Sequence, residues 1–84
     1  MVKLVYFAWV RERIGKESEI VDAPADVITI ADLVGWLKTL GEEYQYAFEN
    51  AAVVRAAIDR KHVKPNAAIA GASEIAFFPP MTGG

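Results

Sequence analysis

Apolar, β-branched and aromatic residues at the two ends of the chain form short runs typical of β-strands. Val2–Val10 contains no Gly or Pro and predicts a first strand. Arg11–Gly15 predicts a tight turn, and Glu17–Val21 predicts a second strand that pairs with the first as a hairpin. Near the other end, Glu74–Phe78 predicts a last strand, which ends at Pro79 because proline cannot donate to a β-ladder.

The middle of the chain shows a helical period instead. Thr29 and Asp32 form the pattern of a capping box, which predicts the start of a helix. We expect this helix to end at Gly41 and a second, short helical turn to contain Tyr44 and Phe48. The predicted helix carries an apolar stripe of Ile30, Leu33, Val34, Leu37 and Leu40.

A third strand is predicted over Val53–Ile58, followed by a turn at 59–61 and a brief return strand at His62–Val63. Residues 65–73 are predicted to be mostly loop. Two hairpins around one helix cannot form the alternating βαβ pattern of a doubly wound sheet. The pattern therefore predicts an α+β fold of the β-grasp type, a mixed sheet packed on one main helix. We expect one domain over residues 1–80 and a flexible diglycine tail over residues 81–84.

Strand periodicity divides the first strand between two faces of the sheet. Leu4, Tyr6 and Ala8 fall on one face, and Lys3 indicates that the face it shares with Phe7 points away from the core. On the last strand Phe77 is predicted to point inward and Phe78 outward. Phe7 and Phe78 would then be large apolar residues on the exposed face, where a protein partner would bind.

Composition narrows the possible functions. The 84 residues include no cysteine, which excludes disulfides, thiolate metal sites and a cysteine nucleophile. A net charge of -2 with dispersed Lys and Arg disfavours nucleic-acid binding. We predict no metal site, no membrane contact, no signal peptide and a cytoplasmic protein. The hydrophobic fraction of 54% exceeds what a small core readily hides and favours a partner-binding surface.

The last residues form a distinctive arm. Pro79-Pro80 is stiff and would direct the chain outward, and the four residues after it could extend roughly 13 Å. Gly83 and Gly84 have no side chains, so they could thread a narrow channel and deliver a carboxylate to a reactive centre in another protein. A frayed terminus without a function is the alternative interpretation of the diglycine.

Residues 76–84, with the sequence AFFPPMTGG, closely resemble the C-terminus of the molybdopterin synthase small-subunit family. Lys3–Ala8 and the Val10-Arg11-Glu12 that follows resemble the family's first strand and turn. The resemblance implies a ubiquitin-like sulfur carrier that binds no cofactor itself. An E1-like enzyme would use ATP to adenylate Gly84, and a sulfur donor such as a cysteine desulfurase would supply the sulfur for a thiocarboxylate. The carrier would then dock into the synthase large subunit and pass its sulfur to a cyclic pterin precursor.

The resemblance also implies which residues act. Gly84 would carry the adenylate and then the thiocarboxylate, and Gly83 would allow the tail to thread. The expected partner-binding residues are Phe7, Arg11, His62, Phe78, Pro79, Pro80, Met81 and Thr82. The chain would be a non-catalytic subunit, with the catalytic groups on its partners.

The chain departs from the family pattern at two places. Gly71-Ala72-Ser73 stands where the family usually has an Asp-Gly-Asp turn, and Asp59 and His62 stand where it often has an Asn and an apolar residue. We expect His62 to be a surface or interface residue and not an acid-base catalyst.

Three alternatives remain open from the sequence. The sulfur could go to thiamine precursors or tRNA. Gly84 could instead form an isopeptide bond with a target lysine, as in a protein modifier. The chain could also be an interaction module with an inert tail.

Overall fold

The computed structural model describes residues 1–80, and the predicted tail, residues 81–84, lies outside the described residues. Five strands form one mixed sheet in the order β2-β1-β5-β3-β4. The elements in chain order are β1 (Val2–Tyr6), α1 (Ala8–Ile14), β2 (Ser18–Val21), α2 (Ile30–Leu37), α3 (Glu42–Ala47), a 3₁₀ turn (Ala51–Val53), β3 (Arg55–Ile58), β4 (Lys61–Val63) and β5 (Glu74–Phe78). This architecture confirms the predicted α+β class and the two hairpins.

The first and last strands pair in parallel at the centre of the sheet. β1 lies between its hairpin partner β2 and β5, and β5 pairs antiparallel with β3. The β3–β4 hairpin completes the sheet. The predicted last strand has the observed bounds, and the predicted return strand at His62–Val63 is confirmed with Lys61 added at its start.

The core lies between one face of the sheet and the helices. Leu4, Tyr6, Ile75 and Phe77 point from the central strands into this layer and are fully buried. Helix α2 contributes Ile30, Leu33 and Leu37 at helical spacing, which confirms most of the predicted stripe. The capping box is also confirmed, because the Asp32 backbone N–H donates to Thr29 Oγ1 and the Thr29 N–H donates to the Asp32 carboxylate.

The prediction that Val2–Val10 is one strand was wrong after Tyr6. Helix α1 occupies Ala8–Ile14, where the sequence predicted the end of a strand and a turn. Val10 and Ile14, four residues apart, bury their side chains, and this spacing matches a helix better than a strand. The turn predicted over Arg11–Gly15 is instead the last part of this helix, which ends at Gly15 with a left-handed φ of 85° and an N–H that donates to the Arg11 carbonyl.

Two other predicted boundaries were wrong. Helix α2 ends at Leu37 and not at Gly41, which precedes α3, so Leu40 lies outside the stripe and is 46% exposed. The third strand begins at Arg55 because Ala51–Val53 forms a 3₁₀ turn. The second helical turn is confirmed as α3, in which Tyr44 is buried and after which Phe48 enters the core.

Candidate functional site

The face of the sheet opposite the helices carries an open groove. Its floor comes from alternate residues of the central strands, including Val5 on β1 and Ala76 on β5, which are paired in the strand register. Phe77 points into the core with 0% exposure, whereas its neighbour Phe78 points into the groove. The predicted assignment of strand faces is therefore confirmed for β1 up to Tyr6 and for β5.

The groove encloses about 820 Å³ and has a mostly apolar lining. Phe7, which ends β1 and precedes α1, remains 47% exposed, so a large ring lies open to a partner. The described chain leaves the groove through its rim at Pro80. The complete lining is Lys3, Val5, Phe7, Ala8, Ala57, Arg60, His62, Glu74, Ala76, Phe78, Pro79 and Pro80.

The structure brings together five of the residues that the sequence nominated for partner binding. Phe7, His62, Phe78, Pro79 and Pro80 all line the groove, although they come from three separate segments of the chain. Arg11 is exposed on helix α1, not in the predicted turn, and does not line the groove. Met81, Thr82, Gly83 and Gly84 lie outside the described residues.

His62 packs against Phe78 within the groove. Their ring centroids are 5.1 Å apart with a tilt of 56°, a distance typical of favourable ring contacts. The contact follows from the register, since His62 pairs with Ala57 on β4–β3 and Phe78 pairs with Arg55 on the adjoining β3–β5 ladder. His62 therefore forms part of an apolar surface, a position that fits an interface histidine better than a catalytic one.

Left-handed backbone concentrates around this groove. Within residues 1–80, the non-glycine residues with positive φ are Ala8, Asp59 and Arg60, at 51°, 47° and 72°. Ala8 and Arg60 line the groove, and Asp59 precedes Arg60 in the two-residue turn between β3 and β4. Such backbone costs on the order of 1–3 kcal/mol per residue and tends to collect at functional sites.

Asp59 ties this turn to the start of β5. Its Oδ1 accepts hydrogen bonds from the backbone N–H groups of Ser73 (3.1 Å) and Glu74 (2.9 Å), and its own N–H donates to the Glu74 carbonyl. Asp59 and Ser73 belong to the two places at which the sequence departs from the family pattern. Their contact indicates that the aspartate and the altered turn form one structural unit.

Sequence reasoning missed four lining residues with chemical or conformational interest: Lys3, Ala8, Arg60 and Glu74. Lys3 was recognised only as a marker of the outer face. The left-handed conformation of Arg60 follows from the observed two-residue turn, which favours type I′ geometry with both φ values positive, whereas the sequence predicted a three-residue turn at 59–61.

A separate polar cluster lies on the helix side of the sheet. The Glu19 carboxylate accepts hydrogen bonds from Tyr6 Oη (2.8 Å), Tyr44 Oη (2.6 Å) and Lys16 Nζ (3.2 Å). Burial raises the pKa of Tyr6, with Glu19 adding to the effect. Burial opposes ionisation of Glu19, but the three donors outweigh it and lower its pKa. This cluster joins β1, β2 and α3 and does not touch the groove, so it supports the fold.

The described part of the chain shows neither a metal site nor a membrane-spanning helix. Residues 1–80 contain no group of three or more His, Asp or Glu side chains placed to hold a metal ion. None of the helices in this range has the length and apolar character needed to span a bilayer. The groove is the candidate site among the described residues, and its mostly apolar lining suits the docking of a partner.

Comparison with known proteins covers the chain to its last residue. The model of the ThiS family matches residues 4–84. The chain is 31% identical to the molybdopterin synthase sulfur carrier subunits of Escherichia coli and Haemophilus influenzae, with 100% of each chain covered. The structure of SAMP1 from Haloferax volcanii superposes with a TM-score of 0.72 at 23% identity, covering 99% of this chain and 98% of that one. This likeness supports the ubiquitin-like fold alone.

Proposed function

Because this chain belongs to the ThiS family, we propose that it is a sulfur carrier for molybdopterin synthesis, activated at Gly84. The observation that supports this most directly is the full-length similarity to two molybdopterin synthase sulfur carrier subunits. The groove supplies a physical counterpart, since it offers an apolar docking surface at the root of the segment that leads to Gly84.

Activation of a carboxylate explains why the carrier needs partners. The Gly84 carboxylate is a poor electrophile, and adenylation by an E1-like enzyme with ATP would provide AMP as a leaving group. A persulfide supplied by a donor such as a cysteine desulfurase would then displace AMP and form an acyl disulfide. A second thiol on a partner would reduce this acyl disulfide, releasing the thiocarboxylate and leaving a disulfide on the partner. In the synthase large subunit, the thiocarboxylate would transfer its sulfur to the pterin precursor, and water would restore the carboxylate. This chain contributes binding and positioning to each step.

Docking and delivery are separate tasks in this proposal. The groove, with Phe7 and Phe78 on its apolar side, would hold the partner, and Met81, Thr82 and Gly83 would carry Gly84 into the partner's site. Gly83 has no Cβ, so it can pass a constriction that a larger residue could not. Arg11, exposed on α1, would contact the partner outside the groove.

Deletion of Gly84 tests the chemistry. The truncated chain should unfold like the wild type, since the described core is formed by residues between Leu4 and Phe77, yet it should show no adenylation and no sulfur transfer. Intact-mass spectrometry of native protein should reveal a gain equal to sulfur minus oxygen at Gly84. Gly83→Val should impair both steps nearly as strongly, and normal kinetics in this variant would refute the constriction.

The same measurements separate the alternatives. Conjugates linked to target lysines, without a sulfur mass gain, would identify a protein modifier. If the protein shows the sulfur mass gain but molybdoenzyme activity stays normal after deletion of the gene, the carrier supplies sulfur to thiamine precursors or tRNA. Sulfur transfer by the Gly84 deletion variant would reject the carrier function altogether.

A further inference from the structure

His62 and Phe78 lie on either side of Ala57 on the outer face of the sheet. Strand register places His62 on β4 beside Ala57 on β3, and Ala57 beside Ala76 on β5. Because Ala57 has only a methyl group, the imidazole reaches across it to the Phe78 ring, with the centroids 5.1 Å apart. His62 is exposed and Phe78 is partly buried. A partner that covers the Phe78 ring would therefore also cover the imidazole.

The imidazole is a group whose charge can change near neutral pH. His62 is the only histidine in the sequence, and histidine side chains gain or lose a proton between about pH 5 and pH 8. The neutral ring packs against an aromatic neighbour and is buried at small cost, whereas burial of the charged ring is costly unless a carboxylate pairs with it. The lining of the groove is mostly apolar. An apolar partner surface that covers His62 therefore requires the neutral imidazole.

The charges around His62 do not favour its protonated form. Within residues 1–80, no carboxylate lies within ion-pair distance of the imidazole. Asp59, three residues away in the chain, uses its Oδ1 to accept two backbone N–H groups. The charged residues on the elements around His62 are Lys3, Arg55, Asp59, Arg60, Lys61, Lys64 and Glu74. Lys61 shares the core-facing side of the sheet with its partner Ile58, and the other six still comprise four cations and two carboxylates. A further positive charge on His62 is therefore disfavoured.

We propose that His62 makes docking in the groove depend on pH, because the neutral imidazole permits a partner to cover Phe78 and the protonated imidazole opposes it. Acidification would then release the carrier from its partner while the carrier stays folded. The effect concerns association of the two proteins and not the chemistry at Gly84. This inference rests on the proposed function, because it adds a condition to the docking step that precedes sulfur transfer.

Affinity measured as a function of pH tests the proposal. The probes are the adenylating enzyme and the synthase large subunit encoded by the same genome, each titrated separately with the full-length chain at constant ionic strength. Wild-type affinity should fall about five- to tenfold from about pH 8 to about pH 5.5, because the free imidazole gains its proton over this range and the docked one does not. Thermal unfolding at each pH checks the fold, which should persist because the pKa of Glu19 is lowered from its ordinary value of 4.5.

Three variants separate the imidazole from the titrating groups of the partner. His62→Gln is neutral throughout and should bind nearly as well as the wild type at the alkaline end, with most of the pH dependence lost. His62→Lys is charged throughout and should bind about fivefold or more weakly at every pH tested. Lys61→Gln changes the charge of the same strand on the other side of the sheet and should keep the wild-type affinity and pH profile. Each variant should fold, since β4 is an edge strand and both side chains are exposed.

The outcomes distinguish this proposal from the proposed function. If the wild type and His62→Gln have the same pH profile while Phe78→Ala binds weakly, the groove docks a partner but the role of His62 is wrong. Affinity that rises on acidification in the wild type and not in His62→Gln would show that the partner meets the imidazole with a carboxylate, which also overturns the proposal. If Phe78→Ala binds normally, docking through the groove is wrong. If neither probe binds the wild type at any pH, the proposed function is overturned together with the pH dependence.

Discussion

Phe77 and Phe78 are adjacent phenylalanines with opposite environments, and truncating each to alanine should separate folding from partner binding. Phe77 is fully buried, with ring centroids 6.2 Å from Tyr6 and 5.3 Å from Phe48. Phe78 is partly buried in the groove, where its ring contacts His62. The two substitutions remove the same atoms from the same strand, so each serves as the control for the other.

The two substitutions should differ in how much they change the free energy of unfolding and the affinity for partners. Phe77→Ala creates a cavity between sheet and helices and should lower the free energy of unfolding by about 3–5 kcal/mol. Phe78→Ala loses partial burial and one ring contact, for which about 1 kcal/mol is a reasonable scale. An aromatic anchor at an interface centre typically contributes about 2 kcal/mol or more to binding. Phe78→Ala should therefore raise the dissociation constant roughly 30-fold or more.

The assay combines denaturant unfolding of each variant with titration against the adenylating enzyme and the large subunit. Affinity must be expressed per folded molecule, because Phe77→Ala lowers the folded fraction. We expect Phe77→Ala to bind normally once corrected and Phe78→Ala to bind weakly while remaining folded. A large loss of stability in Phe78→Ala with unchanged affinity would refute the assignment of the groove as a docking surface.

Two further perturbations test the supports of the fold. Hydrogen bonds from Tyr6, Tyr44 and Lys16 lower the pKa of Glu19 below its ordinary value of 4.5. The ionised carboxylate therefore stabilises the fold at pH values above 4.5, and this stabilisation is lost as the pH falls through the lowered pKa. Glu19→Gln should therefore flatten the decline of melting temperature on acidification below that value, and a calorimetric pH series identical to the wild type would contradict this. Thr29→Ala removes the cap of α2 and should cost about 1 kcal/mol in urea unfolding without changing partner affinity.

Local patterns were sufficient to predict most of the sheet and its two faces. Glu74–Phe78 is bounded by a proline and alternates cleanly, so both its extent and its orientation could be read from the sequence. The Thr29–Asp32 cap likewise depends on neighbouring residues alone. Helix α1 was missed because Trp9 and Val10 have side chains typical of strands. Tertiary contacts favour the helix instead, since Val10 and Ile14 pack in the core and Arg13 lies over the rings of Trp9 and Tyr46.

The candidate site was likewise predictable only where local sequence patterns determine it. Phe7, Phe78 and the prolines could be nominated from face periodicity and resemblance. The participation of Arg60 and Lys3 depends on how β5 lies between β1 and β3, a long-range pairing that no local pattern specifies. The left-handed conformation of Arg60 was also hidden, because the observed turn uses Asp-Arg where Asn-Gly or Asp-Gly would have signalled it.

The central position of β5 has a consequence for how the protein is made. It joins β1 to β3, so the two hairpins cannot form one sheet until β5, which follows both of them in the chain, has emerged from the ribosome. Until then β1 and β3 each expose an unpaired edge, and the long sequence separation between β1 and β5 favours slow folding. The groove, built on the same three strands, therefore forms only after β5 has paired with both of its neighbours.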